Sequence, residues 1–291
     1  MSINEAEPKG ANSSETVEDP LLYHYTTLEA FTGILRDGVL WASHIRYLND
    51  TSEQRMMWEL ILKRIEERLR DTSDPYREKL ADLKAVATNA QDEHIYVISF
   101  SEVGGDDLSQ WRGYGANAGI SVGFKKAELR RVCGNFTTAQ HKPPIKRGGA
   151  MLKKVQYVDP KGDEESNKIV DLFLDRGLPE SLGSEFSPEQ AFVRQVSMFS
   201  STLKHKAFSA EQEWRIVVID LKGGSAPKIR ARKSLFVPYI ELDIHDSDPS
   251  KIFVGPSPNK ENTVAAIKHF CATRDSSDIE VIPSQLPFRD Y

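Results

Sequence analysis

Apolar residues recur along the chain in two rhythms, and the switches between them mark out the elements. Leu21-Leu22-Tyr23-His24-Tyr25 is a short β-prone run. Thr26-Thr27-Leu28-Glu29 follows at once and reads as a capping box, with Glu29 three residues after Thr26. Leu28, Phe31, Ile34 and Leu35 then share one helical face, and Gly38 stands where a left-handed C-cap belongs. Val39-Leu40-Trp41-Ala42-Ser43 predicts a second strand. Asn49-Asp50-Thr51-Ser52-Glu53 caps a long helix with a buried stripe of Trp58, Ile61, Leu62, Ile65 and Leu69. The charged face of that helix reads as solvated. A further helix follows Pro75, with Leu80, Leu83 and Val86 inward.

From His94 the rhythm turns to β: Ile95 to Ser101, a polar loop through Gly119, then Ile120 to Phe124. Leu152 to Val158 alternates like a half-exposed strand. Helices are expected at about 164–175 and 188–204, the second opened by Ser187-Pro188-Glu189. Strands follow at Glu213 to Ile219, Leu235 to Leu242 and Ile252 to Val254. After the turn Gly255-Pro256-Ser257-Pro258 come a helix near 261–273 and a strand at Ile279 to Ile282. Residues 1–20 are polar and expected to be a disordered tail; residues 21–291 show no repeat and no linker. The pattern predicts one α+β domain.

Composition narrows the classes. The chain has 291 residues, 39% hydrophobic and 28% charged, with 38 Lys+Arg against 43 Asp+Glu for a net charge of −5. That balance supplies no global basic field for nucleic acid or membrane, although a local basic site remains open. No apolar run approaches the roughly 18 to 20 residues of a membrane span, and the N-terminus lacks a secretory apolar core. Cys133 and Cys271 stand far apart, so neither a disulfide scaffold nor a zinc cluster is expected, and a cytoplasmic location fits.

Several familiar motifs fail on context. Gly119-Ile120-Ser121-Val122-Gly123 has the letters of a nucleophile elbow, but Ser121 falls inside a strand rather than between strand and helix. Gly113-Tyr114-Gly115 lacks the strand and helix of a dinucleotide fingerprint. The seven histidines form no HxH or HxxxH pair, so no metal site is expected.

Three clusters carry chemistry. Tyr23-His24-Tyr25-Thr26-Thr27 ends a strand at a capped helix, where a histidine can donate to a ligand hydroxyl; a buried histidine bonded to backbone is the plainer alternative. Around Ser101 and Trp111-Arg112-Gly113-Tyr114-Gly115, an arginine fork, aromatic faces and glycines stand together; a Trp lid with an ion-paired Arg112 is the alternative. Glu211 and Glu213, two residues apart at a strand entry, are expected to share a face and to repel. On that view Glu213→Gln leaves stability level or raises it. An exposed edge with Arg215 and Lys206 nearby is the competing reading.

These blocks resemble a bacterial family known as a domain of unknown function, number 2971 in that series. The resemblance runs through Tyr23-His24-Tyr25-Thr26, Leu40-Trp41-Ala42-Ser43, Leu48-Asn49-Asp50-Thr51-Ser52-Glu53, Phe100-Ser101, Leu108 to Tyr114, Phe208-Ser209, Glu213-Trp214-Arg215, Pro238-Tyr239-Ile240 and Val254-Gly255-Pro256, over residues 21 to about 275. More distantly, the opening strand with His-Tyr-Thr, the helix ending in Gly and the late strand opened by Glu resemble the ADP-ribosyltransferase fold. That resemblance implies an α+β fold with a mixed, split β-sheet flanked by helices. It implies NAD as substrate and a nucleic-acid or protein acceptor, leaving toxin, anti-phage and housekeeping roles open. It places His24 on a ribose hydroxyl, Glu213 on the 2′-hydroxyl of the nicotinamide ribose, Glu211 near the acceptor and Arg112 on the pyrophosphate. Tyr25, Thr26, Ser101, Trp111 and Tyr114 would complete the binding cleft, with Tyr47, Ser101 and Tyr114 competing for the middle position of the triad. A sensing module that binds nucleotide or nucleic acid without catalysis is the alternative function.

Overall fold

Leu21–Thr26 forms β1, and the helix after it, α1 (Leu28–Asp37), begins one residue later than the capping box places it. Thr26 is taken by the β1 ladder opposite Ile120, so Thr27 becomes the N-cap, its Oγ1 accepting from the Ala30 amide at 3.2 Å. Gly38 closes α1 at φ 60°, its amide donating to the Gly33 carbonyl. The remaining elements are β2 (Val39–His44), α2 (Thr51–Arg70), β3 (Ile95–Ser101), α3 (Leu108–Tyr114), β4 (Ile120–Lys125), α4 (Lys126–Gly134), β5 (Gly148–Lys154) and β6 (Gln156–Val158). There follow α5 (Glu164–Arg176), β7 (Leu203–His205), β8 (Glu213–Asp220), β9 (Lys228–Arg232), β10 (Leu235–Asp243), β11 (Lys251–Val254), α6 (Lys260–Ala272) and β12 (Glu280–Pro283). The computed structural model describes residues 19–48, 51–78, 80, 81, 84, 95–115, 119–136, 148–176, 195–220, 227–232, 234–274 and 278–287. Most of the expected tail, Asn49, Asp50, Leu83, Val86 and the Ser187-Pro188-Glu189 opening lie outside the described residues.

Other sequence expectations change as well: the strand expected from Leu152 to Val158 is split between β5, which pairs with β8, and β6, which pairs with β7. The polar loop before Gly119 contains α3, because the Asp107 carboxylate accepts from the Ser109 and Gln110 amides and starts a turn of helix. The helix expected to reach 204 ends by residue 200. There the hydroxyls of Ser200, Ser201 and Thr202 donate to the carbonyls of Ser197, Met198 and Phe199, competing with the helical ladder. The chain then turns into β7, which pairs in parallel with β6.

Among the described residues ten strands make one sheet, with the central path β12-β11-β4-β1-β3-β2-β10-β9 and with β8 on β3 and β5 on β8. Only β11 and β12 pair in parallel within it among the described residues, so the sheet is mixed, and helices flank it. The decisive strand is β3. One of its edges is filled by β8 from Ile95 to Ser101. The other is shared: β2 pairs at Tyr96 and Val97, and β1 only at Ser101. The sheet therefore forks into a β1-β4-β11-β12 arm and a β2-β10-β9 arm.

Leu22, Phe31, Ile34, Phe100, Phe124 and Ile216 belong to the principal core. A second core joins Met57, Leu60, Ile61 and Ile65 of α2 to Val170 and Leu174 of α5. The charged face of α2 is not merely solvated. Arg64 grips Asp171 of α5 through two bonds of 2.8 and 2.6 Å, and Arg68 bridges Asp74 and Asp175.

The strand–helix joints are close. An added Cβ at Gly119 would lie 2.4 Å from the Gly115 Cα and 3.1 Å from the Thr26 carbonyl oxygen, both backbone atoms. At Gly113, inside α3, it would meet nothing within 4 Å. Gly119→Ala is therefore expected to lower unfolding free energy by about 2 kcal/mol or more, as overpacking does. Gly113→Ala should be neutral or add up to about 1 kcal/mol by favouring helix. Denaturant midpoints of the two variants against wild type check this.

Candidate functional site

The fork in the sheet opens a cleft of about 640 Å³, within the range of a small-molecule site. His24 on β1, Ser99 and Ser101 on β3, Tyr114 at the end of α3, Glu211, and Glu213 at the start of β8 all line it. Residues far apart in sequence thus meet because β1 and β8 flank opposite edges of β3.

His24 is fixed by that geometry. Its Nδ1 lies 2.9 Å from the Ser99 carbonyl oxygen, which can only accept. A neutral ring therefore carries its proton on Nδ1 and leaves Nε2 as an acceptor. Burial holds the imidazole below its ordinary pKa; the Ser99 bond opposes this, and the positive field of Arg230 adds to it. The side chain is thus neutral near pH 7 and its free ring nitrogen, Nε2, is an acceptor, so with this tautomer a hydroxyl in the cleft would be a donor to it.

Glu213 and Glu211 do not sit as a bare repulsive pair. Glu211 lies in the short helical turn Lys206–Glu211, not on the strand, and Gln212 between the two carboxylates adopts φ 43°, ψ 51°. A left-handed residue other than glycine costs on the order of 1 kcal/mol, and here it turns both carboxylates toward one cation. Lys204 Nζ stands 2.8 Å from Glu211 Oε2 and 3.0 Å from Glu213 Oε2. Arg215, two residues along β8 and on the same face, adds Nε to Glu213 Oε1 at 2.7 Å and Nη2 to Oε2 at 3.1 Å. Its Nη1 donates to the Ser201 carbonyl at 2.6 Å. Burial raises the Glu213 carboxyl, but Arg215 first and Lys204 next outweigh it and hold the group down at about 2. Burial would discharge Lys204, yet Glu213, Tyr114 and Glu211 keep its pKa above the ordinary lysine value. Lys206, the neighbour weighed in the sequence, pairs with Asp159 and Asp163 instead.

The two carboxylates differ in availability. The Glu213 side chain is 5% exposed with both oxygens engaged, whereas that of Glu211 is 20% exposed with Lys204 on one oxygen. Tyr114 faces the cluster, its phenol pushed up to about 12 by burial. Ser101 donates to the Glu211 carbonyl at 2.9 Å and so holds the turn against the end of β3. Phe208, half-exposed at the cleft with Lys204 Nζ 5.0 Å from its ring centre, offers an aromatic face.

Tyr25 and Thr26 also border the cleft, but both are buried, and the Tyr25 hydroxyl is committed to Gly104 and Asp107. Trp111 and Arg112 lie outside the cleft lining. Trp111 is buried edge-on to Tyr25 at 4.7 Å with its Nε1 on Asp106 at 2.8 Å, which makes it a core residue. Arg112 is exposed on α3, because the helix turns it away from its neighbour's buried face. The pyrophosphate role implied for it finds no support in this geometry. Lys204 and Arg230 are cleft residues outside the sequence clusters, and Arg215 and Phe208, read there as a neighbouring charge and as part of the family resemblance, line the cleft too. Among the described residues no group of three or more His, Cys, Asp and Glu is placed to hold a metal ion. Nor is any described helix long and apolar enough to cross a membrane.

The ion cluster reverses the stability expected of Glu213→Gln. Removing the carboxylate takes an ion-pair partner from the buried Arg215 guanidinium and leaves Lys204 with Glu211 alone, which is expected to cost on the order of 3–5 kcal/mol at pH 7. Because the folded pKa lies below the ordinary glutamate value, this contribution is present above about pH 4.5 and is lost as pH falls through about 2. Denaturation of wild type and Glu213→Gln between pH 7 and pH 2 should show their stability gap shrinking in that window. A gap that stays constant would mean that the charge of Glu213 carries no such contribution.

Residues 110–216 match the family model described as protein of unknown function (DUF2971), in support of the family resemblance read from the sequence. The match spans Tyr114, Lys204, Phe208, Glu211, Glu213 and Arg215, and leaves out His24 and Arg230. No curated protein and no solved structure gives a significant match.

Proposed function

We propose that the protein is an ADP-ribosyltransferase-like enzyme that cleaves NAD in this cleft and transfers ADP-ribose to a nucleic-acid or protein acceptor. The observation that carries the reading is the forked sheet, which turns the His24 imidazole and the Glu211 carboxylate into one cavity of about 640 Å³. As the bond from C1′ to the nicotinamide nitrogen breaks, its electron pair leaves with nicotinamide and C1′ gains oxocarbenium character. A carboxylate bonded to the 2′-hydroxyl stabilises that charge increasingly toward the transition state. The acceptor then bonds to C1′ and loses its proton to a carboxylate.

Glu211 suits this work better than Glu213. Its carboxylate is more open and carries a single cationic partner, while the charge of Glu213 is spent on Arg215 and Lys204. Glu213 is then a positioning residue, holding the ammonium that orients Glu211. The location of Lys204 favours a second reading, ligand binding without cleavage. An ammonium 2.8 Å from Glu211 opposes the growth of positive charge nearby.

Nicotinamide release from NAD, assayed with and without DNA, RNA and cell lysate, separates the two. The enzyme should release nicotinamide, and Glu211→Gln should lower turnover by roughly 100-fold or more, about 3 kcal/mol, measured at a temperature where the variant is fully folded, because Lys204 keeps only Glu213. Release by wild type that Glu211→Gln leaves untouched removes Glu211 from the mechanism. No release under any acceptor condition makes the non-catalytic reading the better one.

A further inference from the structure

Across the cleft from the Glu211–Lys204–Glu213 cluster, the β2-β10-β9 arm presents two arginines. Arg230 and Arg232 alternate on β9 and both line the cavity. Arg230 reaches from β9 over β10 to β2, where its Nη2 donates to Ser43 Oγ at 2.7 Å. Its guanidinium lies over two aromatic rings on the way, 5.3 Å from the Trp41 centre and 5.9 Å from that of Tyr239. The two rings flank the guanidinium, and the neutral Ser43 hydroxyl answers one of its five N–H donors.

Neither arginine has a carboxylate within ion-pair distance among the described residues, unlike Arg215, Arg64 and Arg68. Arg230 Nε is buried with no hydrogen-bond partner. A cation half withdrawn from water with an orphaned donor is costly, and burial, with Arg232 adding to it, lowers the Arg230 pKa. An anion in the cleft would relieve both costs. One carboxylate would answer one guanidinium; a diphosphate has the charge and oxygens for two.

We propose that Arg230 and Arg232 form a phosphate-binding subsite and that the ligand of the cleft carries a nucleoside 5′-diphosphate unit. The phosphates lie on the two guanidiniums and the base stacks on an exposed cleft aromatic, for which Phe208 is placed. The subsite rests on reading the cleft as a nucleotide site, and it needs no reaction to occur there. It takes the role that the distant resemblance implies for Arg112, which is not among the residues lining the cleft.

Calorimetric titration with ADP, adenosine and inorganic pyrophosphate tests this on the full chain. Wild type should bind ADP and pyrophosphate, with adenosine at least about ten-fold weaker and ADP affinity falling as salt rises. Arg230→Lys keeps the charge and loses the fork, so ADP should weaken about ten-fold while adenosine is unchanged. Arg232→Gln should weaken ADP several-fold. If Arg230→Lys fails to fold, Arg232→Gln and Ser43→Ala carry the same comparison. Equal affinity for ADP and adenosine, no binding of ADP and pyrophosphate, or wild-type ADP affinity in these variants overturns the subsite. The catalytic reading fails separately: ADP binding that depends on Arg230 without nicotinamide release defeats only the enzyme, while release with ADP indifferent to both arginines defeats only the subsite.

Discussion

A β-strand has two edges, and β3 has three neighbours to satisfy. With β8 occupying one edge throughout, β1 and β2 must divide the other, and they diverge from it in opposite directions. The wedge between them is the cleft. Dividing an edge also exposes backbone groups in its middle, and a buried carbonyl left without a donor is costly. The ring of His24 answers the Ser99 carbonyl at that point. The contact that repairs the ladder is thus the one that sets the tautomer of this cleft-lining histidine and leaves its second nitrogen an acceptor.

On the opposite edge the same economy recurs with charge. Glu213 stands at the first position of β8, opposite Ser101, and its amide donates to the Tyr157 hydroxyl at 2.8 Å. Its carboxylate collects Arg215 from its own strand and Lys204 from β7, so with Tyr157 of β6 on its amide Glu213 ties three strands together. The arrangement keeps a strong field inside the cleft without leaving a net buried charge. One carboxylate and two cations are balanced by Glu211, the member closest to solvent. The β9 arm has no such balance, and that asymmetry distinguishes the two walls.

Much of the fold was legible in the sequence where one rhythm persisted long enough. The strands of β1, β3, β8 and β10, the helix α5, and the left-handed Gly38 follow directly from alternation, period and the C-cap residue. What escaped had a physical reason. α3 is seven residues long and interrupted by Gly113, so its start depends on a single Asp107 cap rather than on an apolar stripe. β9, Lys-Ile-Arg-Ala-Arg, has no buried face to impose alternating hydrophobicity, because its basic side chains reach over the cleft. In the site, His24, Glu211 and Glu213 could be picked out by type and position. Their partners could not: Lys204 comes from a strand that the sequence read as helix, and Arg230 from one it did not read at all. The i, i+2 spacing of Glu213 and Arg215 was the available signal, since alternation puts opposite charges on one face as readily as like ones.

The order of strands along the chain also sets a timetable. β1 and β2 are made first, yet β1 pairs along its length with β4, and β2 with β10, whose Tyr239 stands opposite Ser43. During synthesis at roughly 5–20 residues per second, the first two strands therefore wait for partners that emerge much later. Pairing across such separations pays loop-closure entropy before it gains contacts, which makes this topology slow to fold. The two walls of the cleft close at different moments: β8 delivers the ion cluster, and only the β9–β10 hairpin brings Arg230 over Ser43. A chain halted before residue 235 has the histidine and both carboxylates but no strand to hold the second wall in place. The cavity is among the last things the polypeptide acquires.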